Sequence, residues 1–181
     1  MLFSGDIKMK IVYYLAISLD GFIAEEDGGV TWLDGLSIDY TNTGYESFYE
    51  SVDGLIMGRN TYDFVHNSGQ WPYGGKPTWV CTTQALSTLD GCNLQPGSDA
   101  RVAIAEAKSM GLNNVWVVGG GVLAGSLLNL GLLTHISTSV MPIVLGKGIK
   151  LFDSLSAPVQ LHQESSTLMS GFTQLEFRVG T

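Results

Sequence analysis

Ten residues constrain this chain more than any other stretch: Val115-Trp116-Val117-Val118-Gly119-Gly120-Gly121-Val122-Leu123-Ala124. The first four are apolar and mostly β-branched, which predicts a strand buried on both faces. Three glycines follow, and the spacing from Val122 to Leu130 predicts a helix that Gly131 closes. Such a strand–turn–helix unit belongs to the α/β class. It is also a ready anion site. First-turn N–H groups lack intrahelical partners and carry partial positive charge, and glycine lets a phosphate approach them closely. Gly119-x-Gly121-x-x-Ala124 matches the letters of the dinucleotide fingerprint. That motif normally opens its domain and places an acid roughly 20 residues on, whereas this one stands two-thirds along and residues 137–146 hold no acid. A tight turn with no ligand fits the same letters.

Other segments supply the rest of a sheet. Lys10 to Ile17 reads as a central strand running into Ser18-Leu19-Asp20-Gly21-Phe22-Ile23-Ala24, where Asp-Gly marks a turn. A polar loop from Glu25 to Gly35 carries Trp32 and Asp34, and Tyr45 to Val52 is predicted helical. Gly54 to Gly58 reads as a buried strand that turns at Arg59 into a helix, a second strand–glycine–helix junction. Thr78 to Thr82 is a third strand. After a weak strand or loop, Ser98 or Asp99 caps a helix over Ala100 to Met110 that Gly111 ends. Thr134 to Val140 is another strand. The tail alternates as strands Val159–Ser166 and Phe172–Val179, joined through Ser170-Gly171 as an antiparallel hairpin. The expected fold is α/β in three layers, with a mostly parallel central sheet and a C-terminal antiparallel hairpin.

A chain of 181 residues with no linker or repeat fits one domain. Met9-Lys10-Ile11-Val12 resembles a protein start, so residues 1–8 are expected to be a disordered extension and 9–181 the domain. The net charge of −8, with nine Lys and Arg thinly spread, argues against nucleic acid or an anionic membrane as partner. Any bound anion must be held by local donors. Two cysteines and three histidines form no cluster, so neither a metal site nor a disulfide framework is expected. No apolar run reaches the ~18 residues of a membrane span, and no signal-peptide core precedes the first strand; the cytoplasm is the default compartment.

Ligands of open α/β sheets lie at the carboxyl ends of strands, where both Gly58 and Gly119 stand. Two anion-holding turns suit a dinucleotide better than one. Arg59 offers a planar fork for a phosphate, Thr61 a hydroxyl, and Thr82 and Thr83 further donors. An exposed solubilising charge and an ordinary strand-end turn are the bland alternatives.

Four motifs resemble those of the dihydrofolate reductase-like superfamily: Ser18 to Ala24, Met57-Gly58-Arg59-Asn60-Thr61-Tyr62, Trp71-Pro72-Tyr73-Gly74-Gly75-Lys76-Pro77 and Val118-Gly119-Gly120-Gly121. The branch they are most similar to is the C-terminal reductase domain of the riboflavin-biosynthesis deaminase-reductase and its small stand-alone relatives. Pro142 to Gly148, followed by Leu151-Phe152, is similar to that branch's last motif. The resemblance runs from about Lys10 to Val179 in the expected order. It implies an eight-stranded sheet, a homodimer, a small-molecule substrate and NADPH, with NADH left open because relatives often carry lysine where Asn60 stands. It further implies Arg59 at the 2′-phosphate with Thr82 or Thr83 beside it. Gly58, Asn60, Thr61 and Gly119 to Leu123 (Gly119, Gly120, Gly121, Val122, Leu123) would hold the pyrophosphate. Backbone groups of Ala16 and Ile17 would meet the nicotinamide amide.

Hydride transfer asks little beyond a dry pocket that holds two rings together, although a proton donor helps and is often a carboxyl. Asp20 and Asp34 are the candidate acids. Asp20 also reads as an Asp-Gly turn residue and Asp34 as a solvated loop acid. Glu46 reads as a helix-start charge. Trp32 and Phe48 are candidate walls for a flat substrate ring, or plain core. The expected function is NADPH-dependent reduction of a small heteroaromatic, ribosylamino-pyrimidine or pterin-like compound. A non-catalytic NADP-binding or assembly module is the alternative.

Overall fold

A computed structural model describes residues 9–95, 97 and 99–180. The expected extension over residues 1–8 and the alternative cap Ser98 lie outside the described residues. The elements run β1 (Lys10–Ser18), β2 (Phe22–Ala24), α1 (Tyr45–Ser51), β3 (Gly54–Gly58), α2 (Arg59–Asn67), β4 (Pro77–Cys81), β5 (Asn93–Gln95), α3 (Ala100–Ser109), β6 (Asn114–Val118), α4 (Gly121–Asn129), β7 (His135–Met141), β8 (Ile149–Lys150), β9 (Leu161–Leu168) and β10 (Thr173–Val179). Eight strands form one sheet in the order β5-β4-β3-β6-β1-β7-β10-β9. Neighbours pair in parallel except β10, which runs antiparallel to both β7 and β9. The expected sheet with its antiparallel tail is therefore what the chain folds into.

Each face of the sheet hides a different half of the pattern. Ile11, Tyr13, Ile56, Trp79, Val115 and Val117 pack under α3 and α4, which contribute Ala103, Ala107, Ala124 and Leu127. Leu55, Met57, Val80, Trp116 and Val118 face the other way, against Tyr62 and Val65 of α2 and Phe48 of α1. Alternation along the strands produces these two layers. Asp99 caps α3 by accepting from Arg101 N–H at 2.8 Å and Val102 N–H at 3.1 Å. Helix α1 stops one residue short of the expected Val52, which turns extended and is buried in the core.

One feature was not expected. Strands β2 and β8 pair as a separate two-stranded ribbon, joining the turn after β1 to the segment after β7. The ribbon lies across α4. A β-carbon on Gly121 would stand 2.1 Å from the Lys150 carbonyl oxygen, and one on Gly125 would stand 2.0 Å from that of Asp153. Asp153 N–H also donates to the Gly121 carbonyl at 3.1 Å. The small residues four apart on α4 thus let a backbone lie directly on the helix.

Candidate functional site

The centre of the site is an overhang. Strand β1 pairs with β6 only as far as Tyr13↔Val117, yet pairs with β7 through to Ser18↔Met141. Beyond Val118 the β6 chain leaves at Gly119, so the β1 edge at Ala16 and Ile17 outruns its partner on that side. This is the switch point of the sheet, where neighbouring connections leave to opposite faces and a crevice opens. The Tyr14 carbonyl within the overhang is already taken by the Trp116 indole N–H at 3.0 Å.

Two helix starts stand together on the β6 side of the overhang. Met57 pairs with Val118, so Gly58 and Gly119 end adjacent strands side by side. Neither α2 nor α4 has a side-chain cap, leaving the first-turn amides of Arg59, Asn60 and Thr61, and of Gly121, Val122 and Leu123, without that partner. Gly119 and Gly120 are both left-handed, with φ of +59° and +77°. A β-carbon at Gly58 would meet nothing within 4 Å. The donor set and the open glycine surface fit a pyrophosphate.

Arg59 reaches from α2 to the loop after β4. Its Nε donates to Asp63 at 2.7 Å, and its Nη1 donates to Gln84 Oε1 at 2.9 Å and to the Ala85 carbonyl at 3.3 Å. Thr82 Oγ1 accepts from Gln84 N–H at 3.1 Å, so Thr82 shapes that loop, with Thr83 beside it. Arg59 and Thr82 therefore both bond Gln84, and Thr83 lies between Thr82 and Gln84 in the chain.

The two candidate acids are placed differently. Asp20 accepts from Ser18 Oγ at 2.7 Å, from Gly146 N–H at 2.7 Å and from Leu145 N–H at 3.1 Å. These bonds, that of Ser18 foremost, hold its carboxyl below the ordinary range, so it is ionised at neutral pH. That geometry makes Asp20 an anchor for the 143–146 loop; an acid with this pKa has no proton to give. Asp34 ends a single 3₁₀ turn at 31–33, exposed to solvent. Asp20 is thus committed to the loop, and Asp34 is left exposed at the end of its turn.

Trp32 and Phe48 line the same face of β1 at different heights. Phe48 stacks on Tyr14 with ring centroids 4.0 Å apart, while Trp32 packs with Met141 and Phe172 over Ala16. Trp32 is buried in that packing, whereas Phe48 is half-buried and keeps a face on the groove described next. The Trp32 indole N–H is buried without a partner among the described residues.

Below Ala16, a groove of about 480 Å³ opens between α1 and this face. Lys10, Tyr14 and Phe48 line it from one side, and His135, Ser137, Gln174 and Glu176 from the other. Burial and then Glu176 raise the Tyr14 phenol, and burial and then Lys10 lower the His135 imidazole. Sequence reasoning missed the polar side. The available signal was polar alternation, Ser137-x-Ser139 on one strand and Gln174-x-Glu176 on another.

An eight-stranded sheet of this order, with two glycine turns beside an overhanging strand, defines a reductase fold of the dihydrofolate reductase-like class. Among solved structures, dihydrofolate reductase from Enterococcus faecalis complexed with NADP(H) superposes with a TM-score of 0.64 at 14% identity, over 95% of this chain and 97% of that one. Residues 65–174 match the RibD C-terminal domain, and the chain belongs to that family. It is 34% identical over 172 residues to the uncharacterized protein YwjB of Bacillus subtilis, covering 94% of this chain and 98% of that protein. The crystal structure of a putative riboflavin biosynthesis protein from Shewanella sp. PV-4 superposes with a TM-score of 0.82 at 31% identity, over 96% of this chain and all of that one. Among the described residues no helix is long and apolar enough to cross a membrane, and no group of His, Cys, Asp and Glu could hold a metal.

Proposed function

We propose that this protein is an NADPH-dependent reductase that transfers hydride to a small planar nitrogen heterocycle of the ribosylamino-pyrimidine or pterin-like kind. The observation that carries this reading is the β1 overhang beside two adjacent uncapped glycine turns. When bound, NADPH supplies the hydride. Amides of Asn60, Thr61 and Gly120 to Leu123 grip its pyrophosphate, and Arg59, with Thr82 and Thr83, takes the 2′-phosphate. The free edge at Ala16 and Ile17 orients the nicotinamide amide. Trp32, Met141 and Phe172 close the apolar side and exclude water. The groove under Tyr14 and Phe48 receives the substrate ring, so the two rings meet near Ala16.

Loss of absorbance at 340 nm with pyrimidine and pterin candidates tests this directly. Titration that detects no NADPH binding ends it. One observation favours a second reading, a non-catalytic NADP-binding module: Asp20 is an ionised anchor for the 143–146 loop and not a proton donor. Tight NADPH binding with no turnover across a broad panel selects that module, and specific turnover removes it.

We also place a second copy of the chain on the β9 side of the sheet. Residues His162 to Leu168 are exposed along this edge strand, and Leu168 is 83% exposed. Light scattering that gives a monomer mass at micromolar concentration would remove the dimer. The two unpaired cysteines, Cys81 and Cys92, support a reducing compartment such as the cytoplasm.

A further inference from the structure

The groove contains an ionisable group that the glycine turns do not explain. Ser137 of β7 and Gln174 and Glu176 of β10 line its floor, and Ser139 lies on the same face behind them, since Glu176 pairs with Ser137 and Gln174 with Ser139. Ser139 Oγ donates to Gln174 Oε1 at 2.5 Å. Gln174 Nε2 donates to Ser137 Oγ at 2.8 Å and to Glu176 Oε1 at 3.0 Å. Ser137 Oγ donates to Glu176 Oε1 at 2.7 Å. Both hydroxyl protons and both amide protons are engaged, and the relay has one direction: it ends on a single oxygen of Glu176. Ser137 and Ser139 are 3% and 6% exposed, so water competes little for these bonds.

The other oxygen is left over. Oε2 of Glu176 accepts no hydrogen bond from the described residues, and the residue lines the groove. Glu176 forms no ion pair among them, because Arg178 on the same strand pairs with Glu164 at 3.5 Å. A polar sheet face turned to solvent explains a glutamate here. It does not explain two sunken serines and a glutamine aligned to fix that glutamate's orientation.

We propose that Glu176 is the substrate-reading carboxylate of the groove. Its Oε2 accepts an N–H donor from a flat heterocycle bearing an amidine or ureide edge, seated beside the Tyr14–Phe48 stack. Ser137 and Gln174 are positioning residues that hold Oε1 so that Oε2 faces the ligand. This rests on the reductase reading for the purpose of the groove, and the role is recognition, separate from the proton donor expected at Asp20 or Asp34.

Calorimetry on the full chain tests it, using 2,4-diaminopyrimidine as probe and 2,4-bis(dimethylamino)pyrimidine as its counterpart without N–H donors. The diamino probe is expected to bind wild type at least about tenfold more tightly than Glu176→Gln, the loss of one charge-assisted hydrogen bond. The variant's NADPH affinity and melting temperature are expected to stay unchanged. The dimethylated probe is expected not to bind. Equal affinity of wild type and Glu176→Gln, equal binding of both probes, or failure of the diamino probe to bind wild type overturns the assignment. Should the variant not fold, the two-probe comparison on wild type decides alone. NADPH titration of the same samples judges the reductase reading separately: no NADPH binding sinks that reading, while NADPH binding with a probe indifferent to Glu176 sinks only this one.

Discussion

Thr61 Oγ1 lies 3.0 Å from the point where a β-carbon on Gly119 would stand. The first turn of α2 therefore touches the turn that opens α4, and the two anion-holding surfaces are one. Gly119 is confined twice, by this contact and by a φ of +59°. Gly119→Ala is expected to cost about 1–3 kcal/mol of stability, the range for a side chain forced into left-handed backbone. It should also weaken NADPH more than tenfold by displacing Thr61. Thermal unfolding and NADPH titration check both, and undiminished affinity would count against a shared surface.

Arg59 divides its donors between Asp63 and the loop at Gln84. If its guanidinium also meets a 2′-phosphate, Arg59→Gln should weaken NADPH by about tenfold to a hundredfold, the range of a charge-assisted hydrogen bond, and leave NADH nearly untouched. Paired titrations with the two nucleotides measure this. Equal losses for both would assign Arg59 to holding the loop and nothing more.

Gly121 and Gly125 make room for the ribbon and the segment after it, rather than for the nucleotide, on the sides where their β-carbons would project, given the 2.1 Å and 2.0 Å approaches of the Lys150 and Asp153 carbonyls. Gly125→Ala, one turn into α4 and away from its open end, should destabilise the fold by about 1–3 kcal/mol through overpacking. The folded protein should keep its NADPH affinity. A lowered urea midpoint with an unchanged dissociation constant is the expected pair of results.

How far the sequence could be read follows from how local each feature is. The strand–glycine–helix junctions at Gly58 and Gly119 are contiguous, and burial and turn chemistry act within a few residues of each other, so both were legible. The β2–β8 ribbon was not. Its strands are three and two residues long and lie more than a hundred positions apart, so no periodicity announces them. Asp20 reads in the sequence as a turn residue or a proton donor, but its partners Leu145 and Gly146 enter only through the fold. Glu176 escaped for the same reason. Its setting depends on the β7–β10 register, which places Ser137 opposite it.

Asp20 also carries a dependence on pH. Hydrogen bonds from Ser18, Leu145 and Gly146 place its folded carboxyl below the ordinary value of 3.8. A carboxyl depressed by folding contributes stability that is fully present above its unfolded value and is lost as pH falls through the folded one. The anchor should therefore hold unchanged from neutrality down to about pH 4 and fail below it. What fails is local. Leu145 and Gly146 lose their acceptor, and the 143–146 loop is released beside Ile143, whose carbonyl takes Leu19 N–H at 2.8 Å. In Asp20→Asn the amide oxygen can keep only the donors that share Oδ1, Ser18 and Leu145, and without charge, while Gly146 N–H loses its acceptor. The loop should therefore be loosened already at neutral pH and gain little further mobility in acid. Amide hydrogen exchange at Leu145 and Gly146 reads this residue by residue. Protection of both amides in Asp20→Asn equal to wild type at neutral pH would show that the loop is held by something other than this carboxylate.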